Sequence, residues 1–354
     1  MADFPSPKRN ALLARLSLDP RSSKKHQERL TPPVVAPKQF RRIASRGVDW
    51  GLSRTMPGYR VVQDTTIGGK ATKWLLQSGG NLEDFYIVKF GNKNGRVEVY
   101  TELFNNELGR RLGFNMAHSG IARLDGELYF VTRNFRKNEA LVHGSLMVED
   151  TFSAEKELDR IKPRSEQSFY SINFVEEVIR SYCDSDVEEI FQHILDMLMF
   201  DALIGSMDRH AKNWGVLRSE FAPSDPRSRL FHLAPIFDSA RALLWDLPEA
   251  KLLILDNDED ELLKYIESSR PCIGPKRDHP KVDSCNHFEF VQSLLELYPH
   301  QVSQAYGKLP LDVCRVASKL LRQFPFERAF SSLRKRLILK VLALRADRLR
   351  SICE

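Results

Sequence analysis

Within six positions, Asp208-Arg209-His210-Ala211-Lys212-Asn213 gathers four charged or titratable side chains and ends in an amide. An Asp followed five positions later by an Asn suits phosphoryl transfer. The carboxylate accepts or orients the proton of an attacking hydroxyl, and the amide oxygen is a hard ligand for Mg²⁺. Both must project from one loop into one cleft, which explains a short, fixed spacing. Lys212 between them is placed to neutralise charge building on a transferred phosphate. Asp-x4-Asn alone is common by chance. Its weight comes from Pro235-Ile236-Phe237-Asp238 a little further on, because a hard cation held by phosphates needs anionic oxygen from the protein and Asp238 supplies it. Singly, Lys212 also reads as a surface lysine and Asp238 as a helix N-cap; the combination does not.

Complementary charge lies upstream. Tyr86-Ile87-Val88-Lys89-Phe90 sets a lysine inside an apolar strand, where an unpaired ammonium is costly. Nucleotide phosphates together with a helix carboxylate resolve that cost, and Glu102 and Glu107 are the candidate carboxylates. A lysine snorkelling to solvent is the plainer alternative. Gly68-Gly69-Lys70 is not a Walker A loop: Asp64 stands where that pattern needs Gly, and Ala71 where it needs Ser or Thr. It reads equally as a phosphate-covering turn and as a plain hairpin turn.

These residues need two kinds of scaffold. Arg60–Asp64, Thr72–Gln77 and Asp84–Phe90 alternate like strands between Gly-rich turns. Thr101–Leu112 has the apolar stripe of a helix in Leu103, Phe104, Leu108 and Leu112. Ser119–Leu124 and Glu127–Thr132 predict a hairpin turning at Asp125-Gly126. Beyond Arg136 the pattern is mostly helical, at Val187–Gly205, Glu261–Ser268, His287–Tyr298, Leu311–Gln323 and Phe326–Ile352, with short strands at Trp214–Leu217 and Leu230–Ile236. The expected fold is α+β and bilobal, a small β-rich N-lobe followed by a larger helical C-lobe, with ligand in the cleft between them.

Composition narrows the class. At 42% hydrophobic and 28% charged residues the chain is globular rather than fibrous or wholly disordered. Its most apolar stretch, Leu195–Gly205, is cut by Asp196 and Asp201, so integral membrane association is not expected. Five scattered cysteines argue against a disulfide framework. Cys272, His279, Cys285 and His287 lie close in sequence but form no Cys-x2-Cys pair, and a Pro-rich loop is favoured over zinc. The net charge of +6 is uneven: residues 1–60 hold 13 Lys/Arg against 4 Asp/Glu. That basic, Pro-interrupted stretch reads as an arm that is disordered or ordered by a partner. The expected organisation is therefore an arm at 1–50, an ATP-binding N-lobe at 51–136, and a C-lobe at 137–354 carrying the catalytic loop and the metal-binding Asp.

The two central motifs, Ile204-Gly205-Ser206-Met207-Asp208-Arg209-His210-Ala211-Lys212-Asn213-Trp214-Gly215 and Leu233-Ala234-Pro235-Ile236-Phe237-Asp238, resemble in form, order and spacing those of the HipA-like kinases. These are bacterial Ser/Thr kinases first known as toxins of toxin–antitoxin pairs. The similarity spans about Tyr59 to Leu344. It implies Asp208 as catalytic base, Asn213 and Asp238 as Mg²⁺ ligands, and His210 and Lys212 against the nucleotide phosphates. It implies Lys89 as the ATP-lobe lysine, paired with Glu102 in preference to Glu107. Thr132-Arg133-Asn134-Phe135 becomes the inter-lobe linker contacting adenine, Gly68 and Gly69 the phosphate-covering turn, and Thr65 and Thr66 candidate autophosphorylation sites. ATP and Mg²⁺ are the implied cofactors.

The resemblance has a gap. The family's usual N-terminal β-rich domain is replaced by about fifty basic, Pro-interrupted residues. The resemblance therefore gives no basis for assuming the usual antitoxin or the toxin's tRNA-synthetase substrate. A shorter, stand-alone branch, which includes proteins delivered to host cells, is nearer in layout. The functional expectation is a Mg-ATP-dependent Ser/Thr protein kinase, autophosphorylating and toxin- or effector-like. It acts on a protein substrate, in the bacterial cytoplasm or after delivery into a host cell, with an antitoxin-like or host partner. Two alternatives stay open. A small-molecule phosphotransferase also uses Asp-x4-Asn but places His before the Asp, where this chain has Met207. A binding module for nucleic acid would use residues 1–60 and the basic last helix, yet Leu333, Leu337, Val341 and Leu344 give that helix a packed face and disfavour this role.

Overall fold

In the computed structural model, residues 48–50, 55–56, 59–63, 73–78, 85–90, 96–124, 127–135, 139–155, 170–183, 186–219, 230–275, 285–310 and 312–354 are described. The N-lobe is an antiparallel sheet. It runs β1 (Val48–Trp50), β2 (Thr55–Met56), β3 (Tyr59–Gln63), β4 (Lys73–Ser78), β5 (Phe85–Phe90), then helix α1 (Arg96–Arg111), then β6 (Ser119–Leu124) and β7 (Glu127–Arg133). Their spatial order is β2-β1-β6-β7-β5-β4-β3. Strand β5 is thus interior, between β7 and β4, with Lys89 opposite Lys73 on β4 and Phe130 on β7. Pairing on both sides holds the strand rigidly and sets which way its lysine points.

Helix α1 lies between this sheet and the helical lobe. Val99, Leu103, Phe104 and Leu108 are buried, and the Phe104 ring meets Phe326 at 5.5 Å and Phe330 at 6.3 Å, both edge-on. Beyond α1 the chain touches the other lobe again: Ile236 N–H donates to the Asn115 carbonyl at 2.7 Å, and Ala117 N–H to the Ile236 carbonyl at 2.9 Å.

The C-lobe opens with β8 (Glu139–His143), which pairs with β9 (Gly215–Ser219), itself paired with β10 (Phe231–Leu233). Its helices are α2 (Gly144–Glu155), α3 (Ile172–Tyr182), α4 (Val187–Ile204), α5 (Glu249–Asn257), α6 (Glu259–Ser268), α7 (His287–Leu297), α8 (Pro299–Tyr306), α9 (Val313–Leu321), α10 (Phe326–Ala329) and α11 (Ser332–Cys353). Helix α4 is apolar nearly all round and buried along its length, as expected of a helix at the centre of a lobe. Its two aspartates are both satisfied, Asp196 by Lys308 and Asp201 by Arg209. The helix ends at Gly205, whose φ of 68° is the left-handed cap that glycine adopts without strain. Side-chain caps begin other helices, with Ser171 before α3, a reciprocal Asn286–Glu289 box at α7 and Ser331 before α11.

Boundaries differ from expectation where tertiary contacts decide. Helix α1 starts at Arg96, five residues before Thr101. Residues 139–143, in a stretch read as helical, form β8 because β9 offers it a pairing edge. The single helix expected over 326–352 is two: Phe330 is extended and Ser331 caps the second. The Asp125-Gly126 turn lies outside the described residues. Among those described, no helix is long and apolar enough to cross a membrane.

Candidate active site

Lys89 stands where the lobes meet. Its Nζ lies 2.8 Å from Glu102 Oε2 on α1 and 2.6 Å from Asp238 Oδ1 in the segment after β10. Burial alone pulls an ammonium toward its neutral form. The two carboxylates outweigh this and hold Lys89 well above its ordinary value, so it is charged at any physiological pH. Asp238 reaches it from a left-handed backbone, φ 55°, a conformation that Asp tolerates better than most residues and that recurs at functional loops. One residue along, Asn105 Nδ2 on α1 donates to the Ser239 carbonyl at 2.7 Å in a fully buried bond. Helix α1 therefore holds the Asp238 segment directly through Asn105 and, by way of Lys89, through Glu102.

The loop 206–213 is clamped by Arg209. Its Nε and Nη2 donate to the two oxygens of Asp201 on α4 at 2.8 and 2.9 Å, and both side chains are about 1% exposed. Nη1 donates to the Asn213 carbonyl at 2.8 Å and the Phe237 carbonyl at 2.7 Å. One planar guanidinium thus ties the end of the Asp-x4-Asn loop to the residue before Asp238. Burial opposes its charge, but Asp201 holds its pKa above the ordinary value. Further bonds seat the loop: Ser145 N–H to the Ala211 carbonyl at 2.8 Å, and Gly144 N–H to the Trp214 carbonyl at 3.0 Å. A Cβ at Gly144 would stand 2.5 Å from the Trp214 ring, so this close approach requires glycine.

Asp208 sits at the mouth of the loop, with its carboxylate 3.4 Å from Arg241 and 3.7 Å from His210 Nε2. Burial pushes its carboxyl above the ordinary range; Arg241 and His210 partly reverse this, and Asp238 adds to it. Asn213 Nδ2 donates to the Asp208 carbonyl at 2.7 Å, which turns its Oδ1 away from that bond.

The fold brings Lys89, Glu102, Asp208, Asn213 and Asp238 into this one region. Glu107 pairs instead with Arg110 at 2.6 Å. His210 and Lys212 are exposed on the loop, the Lys212 N–H donating to His210 Nδ1 at 3.3 Å. Thr132 is buried on β7, Arg133 is exposed, and Asn134 and Phe135 are half-buried in the connection to β8. Phe135 stacks on Phe237 at 5.9 Å. Thr65, Thr66, Gly68 and Gly69 lie outside the described residues, as does His279. Of the other residues weighed for zinc, Cys272 donates to the Met207 carbonyl, Cys285 to the Asn286 carbonyl and His287 to the Ser206 carbonyl. Sequence reading missed Asp201, Arg209, Asn105 and Arg241. A charged residue interrupting an apolar helix was the signal available for Asp201.

Magnesium keeps water and phosphate ligands and takes one or two hard oxygens from protein. The donor set here, the Asp238 carboxylate and the oriented Asn213 amide oxygen, fits that requirement. Anionic phosphates fit the buried, positively charged Lys89.

Comparisons with known proteins agree with this fold. In overall fold the chain is similar to the proinflammatory kinase CtkA of Helicobacter pylori, at 18% identity and a TM-score of 0.62, over 79% of this chain and 92% of that one. It is similar too to the Shewanella oneidensis HipA, solved with HipB and its operator DNA, at 15% identity and a TM-score of 0.51; 82% of this chain and 65% of that one are covered. No curated protein matches it in sequence. The sequence model of the HipA-like C-terminal domain matches residues 65–282, more than half of the chain and the whole of the region just described, and the chain therefore belongs to the HipA-like C-terminal domain family.

Proposed function

We propose that this chain is a Mg-ATP-dependent protein kinase acting on serine or threonine hydroxyls. The observation that carries the reading is the triad Glu102–Lys89–Asp238, closed at 2.8 and 2.6 Å, with Asp208 presented beside it on a clamped loop. Lys89 binds and orients the phosphates of ATP, and Glu102 keeps it in place. Thr132-Arg133-Asn134-Phe135 borders the adenine, Gly68 and Gly69 cover the phosphates, and His210 and Lys212 lie against the transferred group. Asp208 accepts the proton of the acceptor hydroxyl. The acceptor oxygen bonds to the γ-phosphorus as the bond from that phosphorus to the bridging oxygen breaks, releasing ADP. Mg²⁺, held by Asn213 and Asp238, would neutralise phosphate charge. The work of the protein is positioning and charge compensation.

The Helicobacter pylori relative is named a proinflammatory kinase and the Shewanella oneidensis one belongs to a toxin–antitoxin system. Both names favour a protein acceptor and a toxin- or effector-like role for this chain. Self-modification at Thr65 or Thr66 belongs to the same proposal. The test is intact mass after incubation with Mg-ATP, beside Asp208→Asn. A gain of about 80 Da per phosphate, the mass of an added HPO₃, in the wild type alone supports the reading. Modification of both proteins equally, or no transfer to the chain or to any acceptor, refutes it.

A further inference from the structure

Arg241 is a cation beside Asp208 to which the roles proposed above give no part. Arg241 lies three residues beyond Asp238. Its Nε is 3.4 Å from Asp208 Oδ2 and its Nη1 3.4 Å from Oδ1. Well-formed charge-assisted bonds are shorter, about 2.7–2.9 Å, so this pairing is loose and exchangeable. The guanidinium rests over the Trp245 ring at 5.6 Å, a platform that restrains it without satisfying its donors. Its side chain is 45% exposed. Its backbone is fixed, because the Arg241 carbonyl accepts from Met207 N–H at 3.1 Å. Met207 itself is 42% exposed and adds an apolar spot to the same rim.

Both oxygens of the Asp208 carboxylate face this guanidinium, which thus occupies the place where an acceptor hydroxyl must approach. An acceptor segment with its own anionic group removes that handicap, since the anion takes the guanidinium and the hydroxyl takes the carboxylate. We propose that Arg241 selects the acceptor, binding a carboxylate or phosphate that flanks the hydroxyl to be phosphorylated. This deepens the kinase reading above and rests on it. The bonds made and broken are those already given; Arg241 decides which hydroxyl arrives.

The experiment uses the full chain with Mg-ATP and Ser/Thr acceptor peptides carrying Asp, phosphoserine, Asn or Lys at each flanking position. We expect Asp or phosphoserine at one or two positions to raise kcat/KM on the order of tenfold over Asn, mainly through KM, with Lys poorest. The Asp and phosphoserine arms tell carboxylate from phosphate. Arg241→Gln should level the series, Arg241→Lys should retain part of it, and Arg241→Glu should turn the preference toward Lys. Equal use of Asp, Asn and Lys peptides by the wild type overturns the proposal while leaving the kinase reading intact. A wild-type preference that survives in Arg241→Gln overturns the assignment to Arg241. Transfer to no peptide and not to the chain itself overturns both readings.

Discussion

Arg209 and Asp201 form a two-bond ion pair, 2.8 and 2.9 Å, in which neither side chain is more than about 1% exposed. The pair lies beneath the site, and the guanidinium also reaches the carbonyls of Asn213 and Phe237 and the Ser239 hydroxyl. With the Met207–Arg241 backbone bond, it sets the separation of the two motifs.

Removing one partner leaves a buried charge uncompensated. Asp201→Asn should lower stability by about 3–5 kcal/mol, read as a shift in the denaturant midpoint. Arg209→Lys keeps the charge but not the planar fork, and should reduce phosphate transfer more than it reduces stability. Unchanged turnover in the Arg209→Lys variant would show that the clamp does not position the loop.

Asp238→Asn and Lys89→Met each dismantle the triad from one side. Both should cut transfer by roughly 10²–10³-fold and weaken Mg-ATP binding. Asp208→Asn should abolish transfer and leave nucleotide binding nearly unchanged. Calorimetry of Mg-ATP binding beside turnover separates these two patterns.

The raised Asp208 carboxyl sets a direction for the pH dependence. Burial disfavours its ionised form, so the acid limb of kcat/KM should fall at a higher pH than that of an ordinary carboxylate. The charged and titratable groups acting on it are Arg241, His210, Asp238 and Arg209. Arg241 lowers its pKa, so Arg241→Gln should move the limb further up. A limb that stays put, or moves down, contradicts this account.

His287 is buried against the Ser206 carbonyl at 2.8 Å. A carbonyl only accepts, so Nε2 carries the proton of the neutral ring. Burial, with Arg345 nearby, pushes its pKa down to about 3. Below the usual histidine value of roughly 6.5 the unfolded chain gains a proton that the folded one refuses. Stability from this group is thus complete above that pH and falls by up to about 1.4 kcal/mol per unit as pH drops toward 3. Midpoints measured from pH 7 to 5 should fall more steeply in the wild type than in His287→Gln.

Gly205 caps α4 at a φ of 68°, and a Cβ there would stand 3.2 Å from Cζ of Arg345. Arg345 is buried and bonds the carbonyls of Ala202 and Ile266, near the C-terminal ends of two helices, where a cation is favoured. Gly205→Ala should therefore cost about 1–2 kcal/mol from backbone strain and crowding together. Thermal unfolding checks it.

What the residues disclosed in advance follows a physical division. Strands β3 to β7 and helix α4 were legible because alternation and helical spacing are local. Lys89, Asp208 and Asn213 stood out by type and spacing, a lysine in an apolar strand and an Asp five positions before an Asn, and Asp238 by the need for an anionic oxygen. Glu102 and Glu107 were equal candidates on the residues alone, and the family resemblance favoured Glu102. Arg209 looked like filler between Asp208 and His210, since its partner Asp201 sits on the preceding helix and its remaining bonds lie up to thirty positions ahead, at Ser239. Asn105 was invisible for the same reason, as its partner is 134 residues away. Strand β8 lacks alternation because it is only half-buried, and pairing alone makes it a strand. Phe326 and Phe330 are spaced like one helix face, yet they face Phe104 from either end of a short turn.

The double grip on α1 has a consequence for control. Sheet on one flank and the Phe326 and Phe330 rings on the other leave the helix a single seat, and Asn105 and the Asn115–Ala117 segment fasten it to the stretch around Asp238. Kinases whose corresponding helix rests on the small lobe alone can be silenced by swinging it outward. Here such a swing would have to tear an aromatic cluster and buried backbone bonds at once. For the kinase activity proposed above, an outward swing of α1 is therefore a costly route to silencing.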